Sequence, residues 1–595
     1  MKKIKVGLQS VFYLSKPYWQ YGKLYMLISV IAATVLLPLG NILNVYFHKT
    51  VIDAIVDGNI FTEILLIIAF FEISKLIIFM LNDIISDLFL TIQYEKVSMK
   101  LNRDIFVRAV KTDYRYFDNA EFYQNYTWTL SEFNRQSLNA RSFILQILTS
   151  LMTITAMVSI IAATDVLIIF ITVITLAIST FIGVFQNKIW FKRRDEMMSD
   201  DRRISYIQRT FYINTYAADL KSNNVKDYLF ENYDKSVNNK INIVKKYAFQ
   251  LLSLAQLQSF TRNTLNFIIV AYIGYRIVNG EISIGNFAGM IAASASLQNS
   301  LGNFFGLINQ ANQLSIYANK IKEFFDLKSD IENSSYTPSA MIESSEPFNI
   351  DIRNVNFKYE NSNFALKNIN MRIKKGEKIA IVGENGGGKS TLTKLLLRLY
   401  DVSSGDIFIN GMSIRDYNIS EFRKHVGIAF QNTLIYAMTL RENMQLYHKT
   451  SDEKLHEIIE TTGLMPIFTK SKGDLDTQIT REFDNDGMLL SGGEIQKLGL
   501  SRLFTGEFGL ILLDEPSSSL DPIAEYELNK IIFDRQLTTT TIIISHRLST
   551  IRDADCIYLV DNGTISESGT HEQLMHKKGK YYTMFTKQAE KYIKE

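Results

Sequence analysis

Long apolar stretches in the first half of the chain limit its fold more than any other feature. Residues 24–47, 64–92, 143–163 and 166–184 are runs of mostly apolar residues. Each is close to the roughly 20 residues that a helix needs to cross the hydrocarbon core of a bilayer. Two further stretches, 257–278 and 284–308, are less apolar: Gln258, Arg262 and Asn266 interrupt one, and Gln298, Asn299 and Asn303 the other. Such side chains suit helices that face a bundle interior or a watery cavity. The prediction is an all-α, six-helix transmembrane domain over residues 1–328. A soluble domain would need buried helices of unusual length.

The connections orient these helices. Residues 48–59, 164–165 and 279–281 are short and hold one Lys and no Arg. Residues 93–141 and 186–246 are long, rich in Lys and Arg, and continue the helical periodicity. Basic loops lie on the cytoplasmic side, so both termini are expected in the cytoplasm and the helices are expected to project far into it. The basic start, Met1-Lys2-Lys3-Ile4-Lys5, leads into a polar, aromatic stretch and not into a signal peptide.

The character then changes. Residues 329–348 are rich in Ser, Glu, Asp and Pro and read as a linker. From residue 349 to 595 short apolar strands alternate with turns and amphipathic helices, the pattern of an α/β domain. The net charge of +3 gives no electrostatic case for nucleic acid, and Cys556, the single cysteine, excludes a disulfide framework within one chain.

The α/β half carries the chemistry. The apolar strand Ile379-Ala380-Ile381-Val382 runs into Gly383-Glu384-Asn385-Gly386-Gly387-Gly388-Lys389-Ser390-Thr391 and then an amphipathic helix. This is a phosphate-binding P-loop in its strand–loop–helix setting. Its glycines let backbone N–H groups converge on phosphate oxygens, and the helix N-terminus adds a favourable dipole. Lys389 supplies a charge for the β- and γ-phosphates, and the Ser390 hydroxyl a ligand for Mg²⁺. A second apolar strand, Leu510-Ile511-Leu512-Leu513, ends in Asp514-Glu515. Asp514 is placed to hold Mg²⁺, and Glu515 to act as the general base on the attacking water. The implied ligands are a nucleotide phosphate and Mg²⁺.

Leu490-Ser491-Gly492-Gly493-Glu494 resembles the signature motif of ATP-binding-cassette (ABC) ATPases, usually Leu-Ser-Gly-Gly-Gln. The resemblance extends along the chain, which is similar to an ABC exporter half-transporter, with a lean towards bacterial exporters of peptides such as bacteriocins. It implies that Tyr359 stacks on adenine and that Gln431 senses Mg²⁺. It implies that His546 contacts the γ-phosphate and that Asp521 communicates between sites. It also implies that Ser491, Gly492 and Gly493 complete the ATP site of a second chain, so a homodimer is expected. Residues 113–126 sit where a first coupling helix would lie, and residues 220–233 resemble the segment that docks on a cassette. Three departures stand out: Glu494 for the usual Gln, Lys497 for the usual Arg, and an acidic stretch before the signature, Glu482 to Gly487.

The implied function is ATP-driven export of a peptide or amphipathic compound across a bacterial cytoplasmic membrane, by alternating access. The alternatives are a flippase for lipids or lipid-linked sugars on the same fold and, behind it, an ATP-gated channel. Asn41, Asn44, Asn266, Gln298, Asn299 and Asn303 are candidates for the substrate cavity. With the membrane half starting within about two dozen residues, no maturation protease is expected on the chain.

Overall fold

The computed structural model describes residues 2–332, 346–359, 364–518, 520, 522–533 and 539–593. They form two compact units, Met1–Arg108 with Gln124–Asp326, and Ala109–Tyr123 with Leu327–Glu595. Each expected apolar stretch lies within a longer helical run of the first unit. These runs are Lys23–Val56, Phe61–Val110, Ala120–Ala162, Val166–Tyr212, Val225–Val278 and Ile284–Phe325. The first four runs contain windows long and apolar enough to cross a membrane. Val225–Val278 has 54 residues, which at about 1.5 Å per residue is far longer than a bilayer core.

Local sequence shapes these helices. Pro38 lacks an amide N–H and its ring clashes with the carbonyl four residues earlier. The turn before it, Ala32–Leu36, widens into a π-helix. The tight connection at Asp165 is fixed by its side chain, which accepts from Leu167 N at 2.8 Å and from Tyr272 Oη at 2.7 Å and pairs with Arg276. Val45, Met157, Ile161, Ile168, Ile269, Ile273, Met290, Ala293 and Leu297 form the buried core of this unit.

Residues Ala109–Tyr123, expected within the membrane domain, pack as part of the cassette unit. Asp113 is the reason. Its buried carboxylate accepts from Asp330 N at 2.9 Å and from Ile331 N and Glu332 N at 3.2 Å each. The start of the expected linker is thereby built into the cassette; residues 333–345 of that linker lie outside the described residues.

The cassette unit is built on two sheets. One is antiparallel, in the order β2-β1-β4-β5: β1 Ile350–Lys358, β2 Phe364–Ile373, β4 Ser404–Ile409 and β5 Met412–Ser413. The other has the order β10-β9-β3-β8-β7-β6. Its strands are β3 Lys378–Val382, β6 Val426–Ala429, β7 Leu510–Asp514, β8 Thr540–Ile544, β9 Cys556–Asp561 and β10 Thr564–Gly569. All but the β9–β10 pair are parallel. The near-continuous apolar runs of β3 and β8 follow from burial on both faces. Helices Leu440–Met444, Asp452–Thr461, Met465–Lys470 and Gly492–Ser501 gather around a separate core that includes Met444, Leu455, Ile459 and Leu498.

Candidate functional site

Strand order brings the cassette motifs together. Strands β3, β8, β7 and β6 are consecutive parallel neighbours. The P-loop follows β3, His546 follows β8, Asp514 and Glu515 end β7, and Gln431 follows β6. All leave the carboxyl edge of the sheet, where ligands of open α/β sheets bind. The Glu515 carboxylate is held from both sides: Oε1 lies 2.8 Å from His546 Nε2, and Oε2 accepts from Gln431 Nε2 at 2.7 Å. Glu515 has φ of 50°, a left-handed conformation that non-glycine residues adopt at a cost.

The P-loop is shaped by backbone crowding. A Cβ on Gly383 would lie 2.0 Å from Val560 O, so only glycine fits there. Gly388, at φ 107°, caps the helix Lys389–Leu396 in the left-handed region, where a Cβ would lie 2.6 Å from the Leu366 side chain. Gly387 N donates to Glu384 O at 3.2 Å and closes the turn. Glu384, Asn385 and Gly386 form its exposed tip. Lys389 folds back and donates to Gly383 O at 3.0 Å and Glu384 O at 2.8 Å. Burial lowers the pKa of its ammonium, against the pull of Glu515 and Asp514.

Ser390, Gln431 and Asp514 line one cavity of about 630 Å³. Burial, with Glu515 next to it, pushes the Asp514 carboxyl above its usual range, although Lys389 opposes this. A hydroxyl, an amide and a carboxylate are hard oxygen donors, and Mg²⁺ takes few protein ligands beside phosphate and water. The set fits Mg²⁺, and a cation there would restore the charge that burial disfavours. His546 is lowered by burial and by Lys389, against Glu515, so its ring is neutral near neutral pH.

The signature lies elsewhere on the unit. Ser491, Gly492 and Gly493 open the helix Gly492–Ser501, and none of them lines the cavity of Ser390 and Asp514. The departure Glu494 forms a capping box, accepting from Ser491 N at 2.7 Å, and pairs with Lys470 at 3.0 Å. Its pKa is raised by burial but lowered more by Ser491 and Lys470, so it is charged. Lys497, the second departure, donates to Gly463 O at 3.4 Å. Tyr359 is half-buried, edge-on to Phe357 and Tyr400, and its hydroxyl lies 3.1 Å from Thr391 Oγ1. Asp521 lies outside the described residues.

Three features of the cassette unit carry no motif. Gln496 donates to Glu515 O and to Ser518 Oγ, at 3.1 Å each, and ties the signature helix to the base. Gln588 grips the main chain around His546. The segment expected as a coupling helix forms a short 3₁₀ turn, Tyr114–Tyr116, beside the P-loop helix. There Asp118 accepts from Tyr400 Oη and lies 3.6 Å from Lys394 Nζ.

In the helical unit, Asn41, Asn44, Asn299 and Asn303 line a cavity of about 830 Å³. Asn266 and Gln298 do not: Gln298 Nε2 donates to Asn266 Oδ1 at 2.7 Å, a bond between helices. His48, Thr149, Ser150 and Thr153 share the cavity wall. These were not legible, because a lone hydroxyl in an apolar run has no pattern of its own. The Thr153 hydroxyl is buried and has no hydrogen-bond partner among the described residues. Among the described residues, no Asp, Glu, Lys or Arg lines this cavity.

Residues 366–518 match the family model for the ABC transporter domain. The chain is 29% identical to the subtilin transport ATP-binding protein SpaT of Bacillus subtilis, over 92% of this chain and 89% of that protein. It is 34% identical to the ATP-dependent lipid A-core flippase of Syntrophus aciditrophicus (strain SB), over 53% of this chain and 51% of that one. A solved bacterial Atm1-family ABC exporter with ATP bound has the same fold, with a TM-score of 0.75 at 20% identity over 95% of this chain and 98% of its own. The chain therefore carries an ABC transporter domain fused behind a helical transmembrane domain, and it is similar to bacterial ABC exporters over most of its length.

Proposed function

We propose that the chain exports a peptide or peptide-like amphipathic compound from the cytoplasm. In this reading two copies form a dimer with two ATP sites, each made from the P-loop of one copy and Ser491, Gly492 and Gly493 of the other. Lys389 leaves the carbonyls of Gly383 and Glu384 for the β- and γ-phosphates. Ser390, Gln431 and Asp514 would hold Mg²⁺, which when bound would neutralise charge on the phosphates. Tyr359 stacks on adenine, and Asp521 links the two sites. Glu515 releases one of its two partners to a water, takes its proton, and the water oxygen bonds to the γ-phosphorus as the bond to ADP breaks. His546 stays on the γ-phosphate side and stabilises the charge that develops there. Nucleotide-driven closure is passed on through the segment around Asp118, and the cavity opens outward.

The observation that carries the substrate class is the lining of the cavity in the helical unit. Amides, hydroxyls and one imidazole, His48, whose Nδ1 lies 2.7 Å from Asn44 O, share its lining with apolar side chains such as Ile284, Phe287 and Ile291. Such a wall matches the donors and acceptors of a polyamide. A phosphorylated lipid headgroup would call for cations, and no Lys or Arg lines this cavity among the described residues. The likeness to a subtilin transporter over most of both chains supports the same reading. The test is ATPase activity in proteoliposomes titrated with peptides and, separately, with phosphorylated lipids. Saturable stimulation by peptides is expected; stimulation by lipids alone would favour the flippase.

A further inference from the structure

Glu515 and His546 are positioned by the ends of β7 and β8, but His546 sits on a loop, and a loop needs its own support. Part of that support is local. Ser545 is buried, and its Oγ accepts from Arg547 N at 3.0 Å and lies 3.1 Å from Arg547 O. The rest comes from far along the chain. Gln588 Nε2 donates to His546 O at 2.7 Å, and Gln588 Oε1 accepts from Leu548 N at 3.0 Å. Both functions of one amide are used, both on main chain, one on each side of Arg547. Side chains at positions 546 and 548 are irrelevant to this grip; what it holds is the path of the backbone.

The helix that carries Gln588, Lys580–Ile593, is a rigid mount. Tyr581 is fully buried and stacks on Phe585, and its hydroxyl lies 2.9 Å from His571 Nδ1. The first turn is pinned as well: Lys580 N donates to Glu567 Oε1 at 2.6 Å. Lys580 Nζ also lies 3.0 Å from Glu384 Oε1 on the P-loop and 2.8 Å from Asp561 Oδ1. Eight residues on, about 12 Å along the axis, Gln588 meets the His546 loop. One short helix thus touches the phosphate loop at its start and the histidine loop two turns later.

We propose that Gln588 is a positioning residue for ATP hydrolysis: by clamping the main chain at His546 and Leu548 it sets the imidazole against Glu515. It does not touch substrate; it acts through His546. The proposal rests on the roles given above to Glu515 and His546. Misplacement of a reacting group by about 1 Å costs up to about a hundredfold in rate. Losing both clamp bonds is therefore expected to lower kcat on the order of tenfold and to leave the KM for ATP unchanged within about twofold, since phosphate binding is on the P-loop.

The experiment uses the full chain, reconstituted in proteoliposomes, with Gln588→Met, His546→Ala, the double variant and Glu515→Gln. Gln588→Met should lower kcat and leave KM and thermal unfolding close to wild type. On the His546→Ala background it should cost nothing more, because the residue it serves is gone. A Gln588→Met protein with wild-type kcat overturns the proposal, as does a raised KM with kcat intact, or an equal further loss in the double variant. Should Gln588→Met not fold, Gln588→Glu keeps an acceptor for Leu548 N but replaces the donor to His546 O with a carboxylate oxygen that repels it. A partial loss of kcat is then expected, and full activity overturns the proposal. If His546→Ala and Glu515→Gln themselves hydrolyse ATP normally, it is the assignment of those two residues that fails.

Discussion

The two units of this chain gather their polar side chains in opposite ways. The cassette gathers its chemistry at the carboxyl edge of one sheet, where four parallel strands each deliver a short, specific motif. The helical unit lines its cavity with amides and hydroxyls spread over helices far apart in sequence. The difference follows from the ligands. A triphosphate has one shape and charge, so few residue types at few spacings can hold it. An exported compound is held by generic hydrogen bonds and apolar contact, which many arrangements supply.

The comparison breaks most readily at Glu515. Glu515→Gln keeps the bond to Gln431 in shape but removes the base; kcat for ATP is expected to fall on the order of a thousandfold, with ATP still bound. Steady-state phosphate release together with nucleotide trapping checks both halves. The next effect tests whether the site needs two chains. Lys389→Ala and Ser491→Ala should each silence a dimer made of one variant alone. A mixed dimer of the two restores one intact site if the signature acts across chains, and none if it acts within its own chain.

The third prediction concerns pH. The Asp514 carboxyl is pushed upward by burial, so as pH falls it takes up a proton before ordinary carboxylates do. Mg²⁺ must displace that proton. The Mg²⁺ concentration for half-maximal ATPase activity should rise as pH falls, from a pH above the usual Asp range, and Asp514→Asn should remove that limb. His546 moves in the other direction: with its pKa below 6.5, its ring stays neutral through neutral pH.

Smaller effects are expected in the helical unit. Asn299→Ala or Asn303→Ala removes one amide from the cavity wall. Each should weaken the apparent affinity for a stimulating peptide by about threefold to tenfold, the worth of about 1 kcal/mol. At the signature, Glu494→Gln keeps the capping geometry and loses an ion pair with Lys470 that is partly exposed. Pairs of this kind contribute under about 1 kcal/mol, so ATPase activity is expected to change by less than about fivefold.

What was legible in the sequence follows the same divide. Gly383 to Thr391, Asp514-Glu515 and the signature could be read because each motif is continuous and sits at a strand end or helix start. That Gln431 and His546 converge on Glu515 needed the strand order, which places β6, β7 and β8 side by side. Gln588 was invisible: its partners are main-chain atoms 40 and 42 residues away, and main-chain recognition leaves no mark on residue type. In the helical unit the apolar stretches were plain, but which of their polar residues share a cavity was not. Asn266 and Gln298 looked no different from Asn299, yet they spend their amides on each other. The packing of residues 109–123 with the cassette was equally hidden, since Asp113 works there by accepting from three backbone amides.

The central claim is that hydrolysis at Glu515 drives a peptide across the membrane. Its most direct test is uptake of a labelled amphipathic peptide into proteoliposomes whose cassettes face outward, with ATP and Mg²⁺ supplied outside. The account predicts ATP-dependent accumulation of peptide in the lumen by the wild-type chain and none by Glu515→Gln. Equal accumulation by both, or movement of labelled lipid with no movement of peptide, would contradict it.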